Sequence, residues 1–191
     1  MPAHPADPLA PLPLAQFVAD VRSLGEADFG ARHGVAFLLH HGELDPSRKP
    51  IRPQQTIVMG RSDTPPPMPG PARRQSTAMR SLGGLLIYPV KHTGRSPFPR
   101  IVTVGRTKNN DIVLADISVS KFHAFFKEDD GQMYVSDGES RNGTFVDGER
   151  VLTTKQGKAT SLKSGAQVKL GALEFRYIDV KELMALVRQL G

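Results

Sequence analysis

Arg106, Ser120, Lys121, Arg141 and Asn142 are the side chains of this chain best suited to meet a phosphate group, and each falls at the end of an apolar stretch rather than inside one. Their settings are Gly105-Arg106, then Asn109-Asn110-Asp111-Ile112, then Ser120-Lys121-Phe122-His123, then Ser140-Arg141-Asn142-Gly143-Thr144-Phe145. A phosphate dianion needs positive charge and several donors at once. Arg supplies both through a planar fork that bonds two oxygens together, which makes Arg106 the anchor of the set. A Ser hydroxyl such as that of Ser120 adds a short neutral donor, Lys121 and Arg141 add mobile charge, and the Asn142 amide both donates and accepts. Asn142 is therefore suited to hold a peptide backbone beside the phosphate.

Each piece alone is bland: Asn142-Gly143 is a turn, Gly105-Arg106 a strand end, Ser120 a loop serine. In this order they resemble the forkhead-associated (FHA) domains, which bind phosphothreonine peptides and catalyse nothing. The resemblance is carried by Gly105-Arg106, by the Ser-x-x-His of Ser120 to His123, and by Asn142-Gly143-Thr144-Phe145 followed by Asp147-Gly148. It spans roughly residues 82–180, a typical domain length.

By position, the resemblance implies that Arg106 and Ser120 are phosphate ligands and that Asn142 grips the peptide main chain. It also implies that Lys121 and Arg141 are flanking contacts and that His123 braces the loop; Gly105 and Gly143 belong to the same supporting frame. Basic residues at both flanking positions point to acidic peptides. The family resemblance further implies a small apolar notch for the threonine methyl group, so that phosphoserine binds less well.

The elements that must position these residues follow from patterning. After Gly83-Gly84, short β-like runs alternate with turn signals: Leu85 to Val90, Arg100 to Val104, Asp111 to Leu114, His123 to Lys127, Met133 to Ser136, Gly143 to Val146, Gln167 to Leu170 and Leu173 to Ile178. That spacing means a mostly β fold, a sandwich or barrel; with the resemblance, an FHA-type antiparallel β-sandwich. Asp130-Gly131 and Asp147-Gly148 each sit between two runs and favour tight hairpins. Asp179 with Glu182 is a capping signature before the apolar stripe Val180, Leu183, Met184, Val187 and Leu190, which predicts a short C-terminal helix.

Upstream, Leu14, Phe17, Val18, Val21 and Leu24 fall at helical spacing, and Gly25 ends that helix. Ala36 to Leu39 reads equally as a strand or a buried turn, and Thr56 to Met59 is a second short apolar piece. A Pro-dense interval containing Pro65-Pro66-Pro67 has linker composition. The expected organisation is an N-terminal segment with its short helix, 1–44, set apart as an appendage, a Pro-rich linker, 45–81, the sandwich, 82–180, and the C-terminal helix, 181–191.

The chain has 191 residues, no Cys and a formal net charge of +6 with a pI near 9.8. Absent Cys excludes disulfides and Cys-based metal sites, and no charged-then-apolar leader or run of about 20 apolar residues is present. A cytoplasmic protein is the expectation. The positive charge is spread along the chain, with no Trp and only 3 Tyr, which reads as a basic solvated surface rather than a nucleic-acid patch.

Other chemistries fit these residues less well. Ser120, His123 and Asp137 could mimic a hydrolase triad, but there is no Gly-x-Ser-x-Gly elbow, and Ser120 and His123 share one short segment. His33, His40, His41 and His92 lack ligand spacing and read as solvent-exposed histidines, so neither a metal nor a cofactor is expected. Gly83-Gly84 lacks the ending of a nucleotide loop. Arg73-Arg74 just before Ser76 and Thr77 resembles the recognition pattern of basophilic kinases, making Ser76 and Thr77 candidate phosphorylation residues against the alternative of a charged linker. The resulting expectation is a non-enzymatic phosphothreonine-dependent adaptor in Ser/Thr kinase signalling. A phosphate-independent scaffold, such as one in a secretion or signalling complex, and, behind it, a nucleic-acid binder are the alternatives.

Overall fold

The structure, a computed structural model, describes residues 12–13, 15–41 and 85–190. The Pro-rich interval 45–81, with Thr56 to Met59 and the candidate phosphorylation residues Ser76 and Thr77, lies outside the described residues.

Two β-sheets face each other. The larger contains β1 (Leu12–Pro13), β2 (Ala36–His41), β3 (Leu85–Pro89), β8 (Thr144–Val146), β9 (Glu149–Arg150), β11 (Gln167–Leu170) and β12 (Leu173–Asp179), in the order β1-β3-β2-β12-β11-β8-β9. The smaller contains β4 (Val102–Gly105), β5 (Ile112–Val113), β6 (Ala124–Asp129), β7 (Gln132–Asp137) and β10 (Thr160–Ser161), in the order β10-β7-β6-β4-β5. Pairing is antiparallel except for β4 with β5. The fold is thus mostly β, a two-sheet antiparallel sandwich with short helices at either end of the chain.

Alternation along the strands sends one face of each sheet inward. Leu173, Phe175 and Tyr177 of β12, Val168 and Leu170 of β11, Val104 of β4, Phe126 of β6 and Val135 of β7 meet in the core between the sheets. At about 1.5–3 kcal/mol for each large apolar side chain withdrawn from water, this layer is the main source of stability.

The eight runs read as strands all contain strands here. The Asp-Gly turns close β6 to β7 and β8 to β9, with positive φ at Asp130 (50°), Gly131 (74°), Asp147 (51°) and Gly148 (89°). β9 and β10, two residues each, are additional. Helix α3 (Val180–Leu190) begins at the expected cap, where the Glu182 N–H donates to Asp179 Oδ1 at 2.8 Å. The return half of the capping box is absent: Glu182 instead bonds Ser164 and Arg176, and Ser164 Oγ accepts from the Asp179 N–H.

The described part of the N-terminal segment, residues 12–13 and 15–41, belongs to the same body. Strand β2 lies between β3 and β12, in register from Arg176↔Leu39 to Asp179↔Ala36 on one side and from Phe37↔Pro89 to His41↔Leu85 on the other. Its continuous apolar run follows from burial on both faces: Ala36 and Leu38 join the inter-sheet core, while Phe37 and Leu39 point into a second core. That second core lies under α1 (Ala15–Ser23), α2 (Glu26–His33) and α3, and unites Phe17, Val21 and Phe29 with Ile87, Ile178, Leu183 and Val187. The rings of Phe17, Phe29 and Phe37 lie 6.0–6.3 Å apart, centroid to centroid. Helix α1 ends before Gly25 as read; α2, which Gly25 precedes directly, is a second helix beyond the one expected. Its only large apolar residue is Phe29, too little for a periodic stripe.

The histidines divide. His41 is exposed, but His40 is 8% exposed and its Nδ1 lies 2.8 Å from Glu174 O, while His33 is half-buried against Phe17 and Phe29 with Nε2 2.6 Å from Asp20 Oδ2. The sandwich core and the helical layer, rather than solvent, surround these two rings.

Candidate functional site

Strand β4 carries the site's first residue. At its end the Arg106 N–H donates to Ser120 O at 2.9 Å, and the His123 N–H donates to Val104 O at 2.9 Å. These bonds press residues 120–123 onto the strand end, so closely that a Cβ on Gly105 would stand 2.3 Å from Lys121 O. Only glycine permits that approach.

The Lys121 carbonyl is then fixed from the other side by Asn110 Nδ2 at 2.7 Å and Thr107 Oγ1 at 2.9 Å. Asn110 is buried and Asp111 beside it accepts from the N–H and hydroxyl groups of both Thr93 and Thr103. Burial alone would raise the Asp111 carboxyl, but those four bonds outweigh it and hold its pKa below the ordinary value.

His123 joins the two loops that form the cleft. It is 0% exposed; Ser120 N–H donates to its Nδ1 at 3.0 Å, so Nε2 carries the proton and donates to Gly143 O at 3.2 Å. Burial depresses its pKa, opposed by the bond to Gly143 and the charge of Asp137, and the ring is held neutral. Asp137 braces the second loop: it accepts from Ser140 N–H at 2.9 Å, Ser140 Oγ at 2.6 Å and Thr144 Oγ1 at 2.7 Å. The carboxylate is therefore spent on Ser140 and Thr144, and no Ser–His–Asp relay is assembled from Ser120, His123 and Asp137.

The result is a cleft of about 330 Å³ whose walls include Arg106, Ser120, Lys121, Arg141 and Asn142, all five residues singled out in the sequence. Ile117, Ser118 and Val119 complete it. Arg106 Nε donates to Val119 O at 3.2 Å, and its two terminal nitrogens have no partner among the described residues. Ser120 Oγ accepts from the Arg141 N–H at 3.0 Å, leaving its own hydrogen to donate. Asn142 Nδ2 donates to Ser118 O at 2.7 Å, leaving the amide oxygen to accept. Ser118 is itself held, its N–H by Asp116 Oδ1 and its Oγ by the Ala172 N–H.

Among the described residues, no acidic side chain lines this cleft. A larger groove, 650 Å³, lies beside Phe145 and Lys169, but Asp147 and Glu174 line it, which disfavours an anion there. The supports the sequence reading passed over are Ser118, Asn110 as the clamp on Lys121, and Asp137 as a brace. Asp116-x-Ser118, an Asx turn, and Asp137, which accepts from Ser140 three residues on, are local pairings; Asn110 reaches Lys121 across 11 positions.

Among the described residues, no helix is long and apolar enough to cross a membrane, and no group of three or more His, Asp or Glu has metal-binding geometry.

Comparison with known proteins places these features. The FHA domain family matches residues 102–171. An ABC transporter ATP-binding/permease protein of Mycobacterium tuberculosis is 32% identical over 132 residues, 68% of this chain and 14% of the transporter. An oxoglutarate dehydrogenase inhibitor of Corynebacterium diphtheriae is 36% identical over 77 residues, 40% of this chain and 50% of the inhibitor. The chain thus spans half or less of the length of these relatives. Among solved structures, Mycobacterium tuberculosis EmbR in complex with a low-affinity phosphopeptide aligns with a TM-score of 0.37 and 29% identity, over 41% of this chain and 20% of EmbR. The cleft built on the end of β4 belongs to an FHA domain, which this chain carries at residues 102–171.

Proposed function

We propose that the cleft binds phosphothreonine peptides and that the chain acts as a phosphothreonine-dependent adaptor in Ser/Thr kinase signalling, with no catalysis of its own. The observation that carries this reading is the convergence of Arg106, Ser120 and Asn142 on one acid-free cleft, each with bonding capacity to spare. In the proposed complex the Arg106 fork pairs with two phosphate oxygens, the Ser120 hydroxyl donates to a third, and the Asn142 amide oxygen accepts from a peptide N–H. Lys121 and Arg141 flank the peptide, and Gly105, His123 and Gly143 keep the two loops at their spacing. The reaction is an equilibrium: a kinase modifies the partner, and the dianion then supplies what the cleft lacks.

The sequence match to an oxoglutarate dehydrogenase inhibitor supports a regulatory rather than an enzymatic role. Titration of the purified chain with matched phosphothreonine, phosphoserine and unmodified peptides tests the reading. Phosphothreonine should bind best and the unmodified peptide hardly at all; equal binding of the unmodified peptide would establish the phosphate-independent scaffold instead.

A further inference from the structure

The cleft holds more positive charge than one phosphothreonine neutralises, and that excess is built in. Arg106, Lys121 and Arg141 all line it, and among the described residues no acid does. A phosphothreonine brings a charge of about −1.5 to −2 at pH 7, so at least one cation is left without a counter-charge in the occupied site. Elsewhere the chain matches several of its exposed cations with acids: Arg32 with Asp20, Lys155 with Glu139, Arg176 with Glu182.

The backbones of the two flanking residues are fixed to the phosphate-reading loops. The Arg141 N–H donates to Ser120 Oγ, and the Lys121 carbonyl accepts from Asn110 and Thr107. Their side chains are exposed and make no hydrogen bond or ion pair among the described residues. Each charge therefore hangs from a clamped point beside Ser120, which sets where a second anion must lie.

We propose that the cleft reads two negative groups at once, a phosphothreonine at Arg106 and a second anionic side chain on a neighbouring peptide residue, held by Lys121 and Arg141. This rests on the phosphothreonine reading above and adds the class of ligand. The second group is a carboxylate or another phosphate; both satisfy the same two cations.

The experiment uses the full chain and peptides of one parent sequence: singly phosphorylated with neutral neighbours, the same with Glu before or after the phosphothreonine, and doubly phosphorylated on adjacent threonines. For each protein the singly phosphorylated peptide is the baseline and the gain is a ratio. A second negative group should tighten binding roughly tenfold at low salt, the gain shrinking as salt rises because both cations are exposed. Comparing the Glu and doubly phosphorylated arms shows which source of charge the cleft prefers. In the Lys121→Ala, Arg141→Ala double variant, which keeps both backbone clamps, the gain should fall below about twofold.

A gain below twofold in the unmodified chain, or an equal gain in the double variant, overturns the two-anion proposal while leaving phosphothreonine binding intact. Failure of every phosphorylated peptide to bind overturns the underlying reading as well.

Discussion

The Ser120 N–H donates to His123 Nδ1 at 3.0 Å, and through the other ring nitrogen the same histidine reaches Gly143 O. One neutral imidazole thus sets the distance between the loop bearing Ser120 and the loop bearing Asn142. His123→Ala leaves the half-buried Ser120 N–H without its acceptor and Gly143 O with only the Gly171 N–H as donor, around a new cavity, and should lower unfolding stability by about 2–4 kcal/mol. Phosphopeptide affinity should fall in parallel. Chemical denaturation and peptide titration check this; an unchanged affinity would show that the bridge does not organise the cleft.

The same ring makes stability depend on pH. Its folded pKa is depressed, so its contribution is fully present above the unfolded value of about 6.5 and is lost as pH falls below that toward the folded value. Melting temperatures of the ligand-free chain between pH 7.5 and 5 should decline, and part of that decline should vanish in His123→Asn. Ligand-free measurement avoids the titration of phosphate itself, whose second pKa is about 6.

Gly105→Ala should damage binding without touching a ligand group. The new methyl would meet the Lys121 carbonyl at 2.3 Å, and that carbonyl cannot retreat because Asn110 and Thr107 hold it. Overpacking against backbone costs about 1–3 kcal/mol. Calorimetric unfolding and titration should both report loss; wild-type values in both would show that the loop is softer than its bonds imply.

Arg106→Ala should weaken phosphothreonine binding on the order of a hundredfold, the cost of removing a charged fork from its partner. Lys121→Ala should cost less and depend more on salt, because its charge is exposed. A loss of less than threefold for Arg106→Ala would place the anchor elsewhere.

A chain shortened to residues 82–191 should not fold cooperatively. Removing β2 strips the hydrogen-bonding edges of β3 and β12 at once and opens the second core around Ile87, Ile178 and Leu183. Milder damage, Phe29→Ala, should cost about 3–5 kcal/mol. A shortened chain that melts at the full-length temperature would refute this.

Thr77, two residues after Arg73-Arg74-Gln75, is proposed as a modified residue whose phosphate a second copy reads. A phosphorylated peptide around Thr77 should bind the purified chain, and the Ser76-phosphorylated version should bind less; no binding of either removes the proposal.

What the sequence disclosed follows from range. The strands of the sandwich alternate visibly, the Asp-Gly hairpins need only two residues, and Asp179 caps its helix from three residues away, so all were legible locally. The five cleft residues were legible because their types and order are unusual together. By contrast, Ala36 to Leu39 shows no alternation because both its faces are buried, and nothing nearby says that its partners are Leu85–Pro89 and Leu173–Asp179. Asn142 finds Ser118 across 24 positions and His123 finds Gly143 across 20; such pairings exist only once the sheets are stacked.

Because His41 and Leu85 are paired neighbours, the sheet itself holds together the two residues that flank the interval 42–84. Doubling the length of a flexible connection between two points so held adds only about 0.6 kcal/mol of closure entropy. Sequence can therefore be grafted there, a kinase target or a docking tail, as freight that rides on the domain while the grip on its partner stays as it was.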